Sequence, residues 1–257
     1  MIIGRGSSKT SRFSVVSVHS SDNPNCSPQE VLFERLASDS TYDHARLSSR
    51  KERQEDPNLS KEGSLTYGEL PYKSMKEIID IINDDMSCDD MSNGSEGSKG
   101  QQRLFLDLGS GSGRSTLSAL LHDSSFTEAV GIEIMSGLYR MSLTIKEKCA
   151  AEPELHIAPL SFYHASIFDM EAFDWVSHAK FNFSGCSNVI FANSTCFGDD
   201  FMQRIADMCS SLYCSYVVTL TTPIYHMNCN LDIIREVRLS TSWGSADVYV
   251  QKVVRID

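Results

Sequence analysis

Asp107-Leu-Gly109-Ser-Gly111-Ser-Gly113 follows directly from a short apolar run, Leu104-Phe-Leu-Asp107, and leads into helical texture from Arg114 to Leu121. A glycine turn between a strand and a helix lets a ligand lie against bare main chain, because glycine accepts positive φ and has no β-carbon in the way. The same alternation continues downstream. Ala129-Val-Gly-Ile-Glu-Ile134 reads as a second strand, followed by a helix over residues 137–151. Ser161-Phe-Tyr-His-Ala165 and Asn188-Val-Ile-Phe-Ala192 read as a third and a fourth. Phe201, Ile205, Met208 and Leu212 are in helical phase over residues 199–212, and Tyr216-Val-Val-Thr-Leu220 is a fifth strand. Ile233 to Leu239 and Val248 to Val254 read as two further strands with no helix between them. This order predicts an α/β fold: a doubly wound, mostly parallel, seven-stranded Rossmann-like sheet with a C-terminal antiparallel hairpin.

The turn also says something about its ligand. Its glycines run G-x-G-x-G, whereas the dinucleotide fingerprint is G-x-G-x-x-G. A pyrophosphate would be repelled by Asp107 at the strand tip; an ammonium group would be attracted to it. Glu133 ends the second strand 20 residues past Gly113, where a carboxylate can accept both ribose hydroxyls. An ammonium, a ribose and a further positive charge together describe S-adenosylmethionine. Gly109 and Gly111 would then let the backbone approach it. Ser166-Ile167-Phe168-Asp169, after the third strand, is the stretch expected near the adenine. Ser166 or Asp169 would bond the base there, with Ile167 or Phe168 against its ring. Strand-end core plus a helix cap is the other reading of that stretch.

Phe191-Ala-Asn193-Ser-Thr-Cys-Phe197-Gly198 leaves the fourth strand, and ligands of doubly wound sheets sit outside the carboxyl ends of the strands. Together with Thr66-Tyr67-Gly68-Glu69 and the Asp107 loop, this segment resembles the disruptor-of-telomeric-silencing histone lysine methyltransferases, which are non-SET enzymes of the class I methyltransferase fold. Ser242-Trp243-Gly244 and Tyr249 resemble the residues that line the family's lysine channel. The resemblance spans residues 64–257. It implies that Tyr67 and Glu69 belong to a loop over the methyl donor and that Asp107, Gly109, Gly111 and Glu133 bind it. It also implies that Asn193 and Phe197 line the methyl-transfer site and that Tyr249 is a channel wall. Four positions depart from the family pattern. Ser194 stands for a second asparagine, Ser166-Ile167 for an Asp-Phe pair and Arg114 for a glutamine.

The resemblance implies a core histone or nucleosome as protein substrate and a nuclear location. The residues alone leave a cytoplasmic or organellar location open. They also leave open a non-histone protein or small-molecule acceptor, or an inactive binding module that keeps the donor fold. The 257 residues carry a formal charge of −11 and no strongly basic tail, which argues against strong direct binding of nucleic acid. No apolar run approaches the roughly 18 residues of a membrane span. Eight scattered cysteines without a Cys-x-x-Cys pair give no zinc-ribbon or redox spacing, so no metal site is expected and the thiols are read as reduced and mostly buried. Residues 1–60 hold eight basic and eight acidic side chains and are expected to be a largely disordered extension, with a basic cluster from His44 to Arg53. Within the domain, residues 61–257, the acidic then Gly/Ser-rich segment 84–102 is expected to be a flexible insertion.

Overall fold

In the computed structural model, residues 26–60, 65–93, 103–167, 187–209, 215–225 and 230–254 are described. The parallel strands are β1 (Leu104–Leu108), β2 (Glu128–Glu133), β3 (Leu160–His164), β4 (Val189–Ala192) and β5 (Tyr216–Leu220). β6 (Asn230–Thr241) and β7 (Gly244–Val254) form an antiparallel hairpin, and β7 pairs antiparallel with β5. The order β3-β2-β1-β4-β5-β7-β6 makes one seven-stranded sheet, as the strand texture predicts. Strands β1, β4 and β5 are buried along their whole length, which explains why they read as continuous apolar runs without alternation.

The chain reverses its winding between β1 and β4, and crevices form at the carboxyl ends of strands at such a switch. Register decides what meets there. Leu108 lies beside Ile132 of β2 and Ala192 of β4, so the glycine turn, Glu133 and Asn193 leave three neighbouring strand tips together.

Helices cover both faces of the sheet. α5 (Arg114–His122) and α6 (Ser136–Ala151) follow β1 and β2, and α7 (Asp199–Cys209) follows β4. One buried cluster, with Phe105, Leu117, Ile145, Phe191 and Val250, fills the space on one side. A second, with Leu106, Ile132, Ile190, Ile205 and Val217, fills the other.

Two expectations about the flanks need correction. Residues 28–60 are not a disordered arm: they form α1 (Pro28–Leu36), α2 (Tyr42–Glu55) and α3 (Pro57–Ser60). Ser27 and Thr41 cap the first two helices, and Phe33, Leu36 and Ala37 enter the main core. The polarity of α2 is misleading because small Ala45 and Ser49 make its buried face and Glu52 makes its anchor. The two Glu52 carboxylate oxygens accept the Ser136 and Gly137 N–H groups at the start of α6, at 2.7 and 2.8 Å. Residues 1–25, the rest of that extension, lie outside the described residues.

The second correction concerns the acidic insertion. α4 runs from Tyr72 to Asn93, through the segment expected to be a connector. Its Asp85 accepts hydrogen bonds from Tyr216 Oη at 2.7 Å and Lys252 Nζ at 2.8 Å, so the acidic turn is tied to β5 and β7. The Gly/Ser-rich remainder, 94–102, lies outside the described residues. Among the described cysteines all are free thiols; Cys149 and Cys209 are buried, whereas Cys88 and Cys196 are exposed. Among the described residues no helix is long and apolar enough to cross a membrane.

Candidate active site

Gly109, Gly111 and Gly113 all have positive φ (78°, 56° and 86°), and the turn they make opens α5. Gly111 has no substitute on two grounds: a β-carbon there would lie 2.5 Å from the Tyr67 ring, and its backbone is left-handed. Its N–H donates to Glu133 Oε2 at 2.8 Å, while the Met135 N–H donates to Glu133 Oε1 at 2.7 Å. Each carboxylate oxygen therefore keeps an acceptor position. Burial pushes the Glu133 carboxyl up to about 7; the two N–H bonds oppose this, and the charges of Asp107 and Glu52 add to it.

Asp107 sits under the turn, and both of its hydrogen bonds fall on Oδ2, from Ser115 Oγ at 2.5 Å and Thr116 Oγ1 at 2.7 Å. Burial raises its carboxyl to about 6 against those two bonds. Neither Asp107 nor Glu133 has a cationic partner among the described residues, so the fold holds two buried carboxyl groups without charge compensation, Asp107 mostly ionised and Glu133 about half ionised at neutral pH. That is costly for stability and suits a site awaiting a positively charged ligand.

A strap closes over the turn. Tyr67 Oη donates to Glu69 Oε1 and lies 2.8 Å from Ser112 Oγ. Arg114 Nε meets Glu69 Oε2 at 3.2 Å. The Tyr67 hydroxyl is held well above its ordinary value by burial and by the Glu69 charge. The Glu69 carboxyl is raised by burial, with Arg114 opposing. The strap is also clamped from behind: Glu69 N donates to Ser242 Oγ and Ser242 N donates to Glu69 O, each at 2.9 Å. Trp243 lies so close to Gly68 that a β-carbon there would sit 2.3 Å from its ring. From the β4 side, Asn193 Nδ2 donates to Gly68 O at 2.9 Å.

These pieces enclose a cavity of about 400 Å3. A family model described as "Histone methylation protein DOT1" matches residues 58–235. The chain belongs to this family. It is an S-adenosylmethionine-dependent methyltransferase. No curated protein matches its sequence. Solved structures similar to it include the magnesium protoporphyrin IX methyltransferase ChlM of Synechocystis with bound SAM, at 10% identity and TM-score 0.44, over 91% of this chain and 100% of that one. Another is the rRNA methyltransferase aviRa of Streptomyces viridochromogenes, at 12% identity and TM-score 0.47, over 73% of this chain and 86% of that one.

Within this DOT1-family fold, Tyr67, Glu69, Gly109, Gly111, Glu133, Ser166, Ile167, Asn193 and Phe197 all line the one cavity. Asp107 lies beneath its floor and is 1% exposed. Tyr249 stands apart: it pairs with Thr219 and Glu236 in the sheet and lines neither this cavity nor its neighbour. Phe168 and Asp169 lie outside the described residues. Among the departures from the family pattern, Ser194 has a local reason. Its Oγ donates to Leu220 O at 2.8 Å and accepts from Leu220 N at 3.0 Å, welding the loop after β4 to the end of β5. Arg114 bridges two elements, meeting Glu69 of the strap and Glu34 of α1 at 3.1 Å, with its guanidinium 4.6 Å from the Phe33 ring centre.

Sequence reasoning missed the supporting residues Ser112, Ser115 and Thr116. The hydroxyls of Ser115 and Thr116 lie one turn into α5, where they return toward the strand tip that precedes the loop. Ser-x-Ser-x-x-Ser-Thr around the glycines was the signal for them.

Proposed function

We propose that this protein transfers a methyl group to the side-chain amine of a lysine in a protein, with a core histone as the acceptor and the nucleus as its place of action. The observation that carries the reading is the shared wall. The donor-side cavity and a second, outer cavity are both lined by Thr66, Tyr67, Gly68 and Asn193, so an amine entering from outside arrives at the strap and Asn193. Membership of a histone-methylation family supports the histone.

The residues present fit the methyl donor. Asp107 offers Oδ1 to an ammonium, Glu133 offers one acceptor position per oxygen to ribose hydroxyls, and Gly109 and Gly111 offer bare backbone. Ser166 and Ile167 would flank the adenine, and Tyr67 and Glu69 would close the strap across it. When bound, S-adenosylmethionine supplies a methyl on a sulfonium, a group that leaves as a neutral thioether.

The chain's own contribution is positioning and desolvation. A lysine amine attacks only when neutral, and with a free pKa of about 10.4 this costs roughly 4 kcal/mol near pH 7.4. Trp243 on the outer side and Phe197 on the inner side replace water with ring surface, which lowers the amine's pKa and reduces that cost. Asn193 has its Nδ2 committed to Gly68 O. Its Oδ1 accepts from Thr195 Oγ1 at 3.2 Å and keeps a lone pair with which to orient an entering N–H. Solvent water takes the proton before the amine enters the cavity, so no strong base is needed. Alignment accounts for the remaining acceleration.

Labelled methyl transfer onto nucleosomes, free core histones and a whole lysate, followed by mass spectrometry, tests the reading. Modified lysine in a histone is expected. Label only on small molecules, nucleic acid or non-histone proteins would overturn it.

A further inference from the structure

The basic cluster between His44 and Arg53 turns out to wall the outer cavity. Arg46, Arg50 and Arg53 follow one another at helical spacing on α2, and all three line the same space of about 500 Å3. Facing them are Asn193 and Trp243. No acidic side chain lines this cavity among the described residues. None of the three arginines makes an ion pair among them, and Arg53 Nε is buried with no hydrogen-bond partner. Two carboxylates of the same helix are engaged elsewhere, Glu52 capping α6 and Glu55 facing Lys51 at 3.8 Å, and the third, Asp43, does not line the cavity. A chain with a net charge of −11 thus keeps three unneutralised guanidinium groups in one concavity beside the proposed transfer point.

We infer that this cavity binds a carboxylate side chain of the acceptor protein, an aspartate or glutamate next to the methylated lysine. Guanidinium groups take carboxylates in bidentate fashion, and a concave site holds one such group better than a surface stripe does. A duplex backbone needs a run of positive charge along an extended face, and the overall charge repels polyanions. The specificity is also economical: the arginines that would repel the positively charged lysine on arrival are neutralised by its acidic neighbour, leaving the amine to pass Trp243 alone. This inference rests on the lysine-acceptor reading given above.

The full chain, saturated with S-adenosylhomocysteine, is titrated into a fluorescein-labelled lysine peptide flanked by aspartates. The asparagine-flanked peptide and a short DNA duplex are titrated in parallel. The acidic peptide is expected to bind at least about tenfold more tightly than the neutral one, the size of a charge-assisted hydrogen bond. Arg46→Gln with Arg50→Gln, both at exposed positions, should erase most of that preference while S-adenosylhomocysteine affinity and melting temperature stay the same. Arg53→Lys, which keeps the charge, should retain part of it. Equal binding of the two peptides, no peptide binding, or a preference that survives the double substitution overturns the inference. Tighter binding of the duplex, lost in the same variants, overturns it in favour of nucleic acid. Failure of the wild-type chain to bind S-adenosylhomocysteine would instead sink the donor-site reading, so the two failures are distinguishable.

Discussion

Replacing Asp107 with asparagine should move stability and donor binding in opposite directions. The carboxyl is buried, bonded only by two neutral hydroxyls, and has a folded-state pKa of about 6 against an ordinary 3.8. That difference corresponds to about 3 kcal/mol at 1.36 kcal/mol per unit. The sign follows from which form the fold prefers. Because the folded pKa is raised, the neutral acid is favoured. The penalty is absent below about pH 4, grows as pH rises through the window between 3.8 and about 6, and is complete above it. Asparagine is isosteric and can bond both hydroxyls once they rotate. At pH 8 Asp107→Asn should therefore stabilise the ligand-free protein by up to about 3 kcal/mol in urea denaturation, with the gain shrinking toward pH 4. The same change removes the charge proposed to hold the donor's ammonium. Affinity for S-adenosylhomocysteine in calorimetry should fall by about 10- to 150-fold, the worth of a charged hydrogen bond. A variant that is less stable at pH 8 and binds S-adenosylhomocysteine as the wild type does would refute both halves: Asp107 would then be a structural acceptor, not a ligand.

Further outcomes follow from other parts of the site. Glu133 has a carboxyl pushed up to about 7 and must be ionised to accept ribose hydroxyls with both oxygens. S-adenosylhomocysteine affinity should therefore be greatest above pH 7 and fall by up to about tenfold per unit as pH drops through it, and Glu133→Gln should flatten that profile. Gly111→Ala forces a β-carbon to 2.5 Å from Tyr67 at φ 56°, so it should destabilise the fold by about 1–3 kcal/mol and abolish tight donor binding in calorimetry. Ser194→Ala leaves Leu220 N and O unpaired in a buried spot. It should cost about 1–3 kcal/mol in urea denaturation with S-adenosylhomocysteine affinity unchanged. Glu52→Ala uncaps α6 and should lower stability by about 0.5–2 kcal/mol, read as a shift in the urea midpoint.

The legible parts of this protein were those written in local pattern. Strands β1, β4 and β5 read as apolar runs because both of their faces are covered, and the glycine turn is required by its own backbone angles. The segments that misled are those whose burial depends on partners far away in the chain. α2 looks like a solvated basic stretch until Glu52 is seen capping α6, 84 residues on. The acidic turn of α4 looks like a linker until Asp85 is seen between Tyr216 and Lys252. The Ser27-x-x-Glu30 start of α1, with Pro28 at its first position, is a local helix signature that the reading of residues 1–60 as a disordered extension passed over. Among site residues, motif order picked out Tyr67, Glu69, Glu133 and Asn193, which line one cavity. It could not say that Tyr249, set in the sheet opposite Thr219 and Glu236, would stand outside that cavity.

By itself the sequence determined the sheet, its hairpin, the glycine turn and the two strand-tip carboxylates, because hydrophobic period, glycine backbone and residue type are properties of a few neighbouring positions. Only the tertiary structure decided that three arginines of α2 face Asn193 and Trp243, that Arg114 ties α1 to the strap, and that Ser194 serves the sheet. Those are consequences of how helices seat on a surface, and packing is set by shape and polar satisfaction across the whole chain, not by spacing along it.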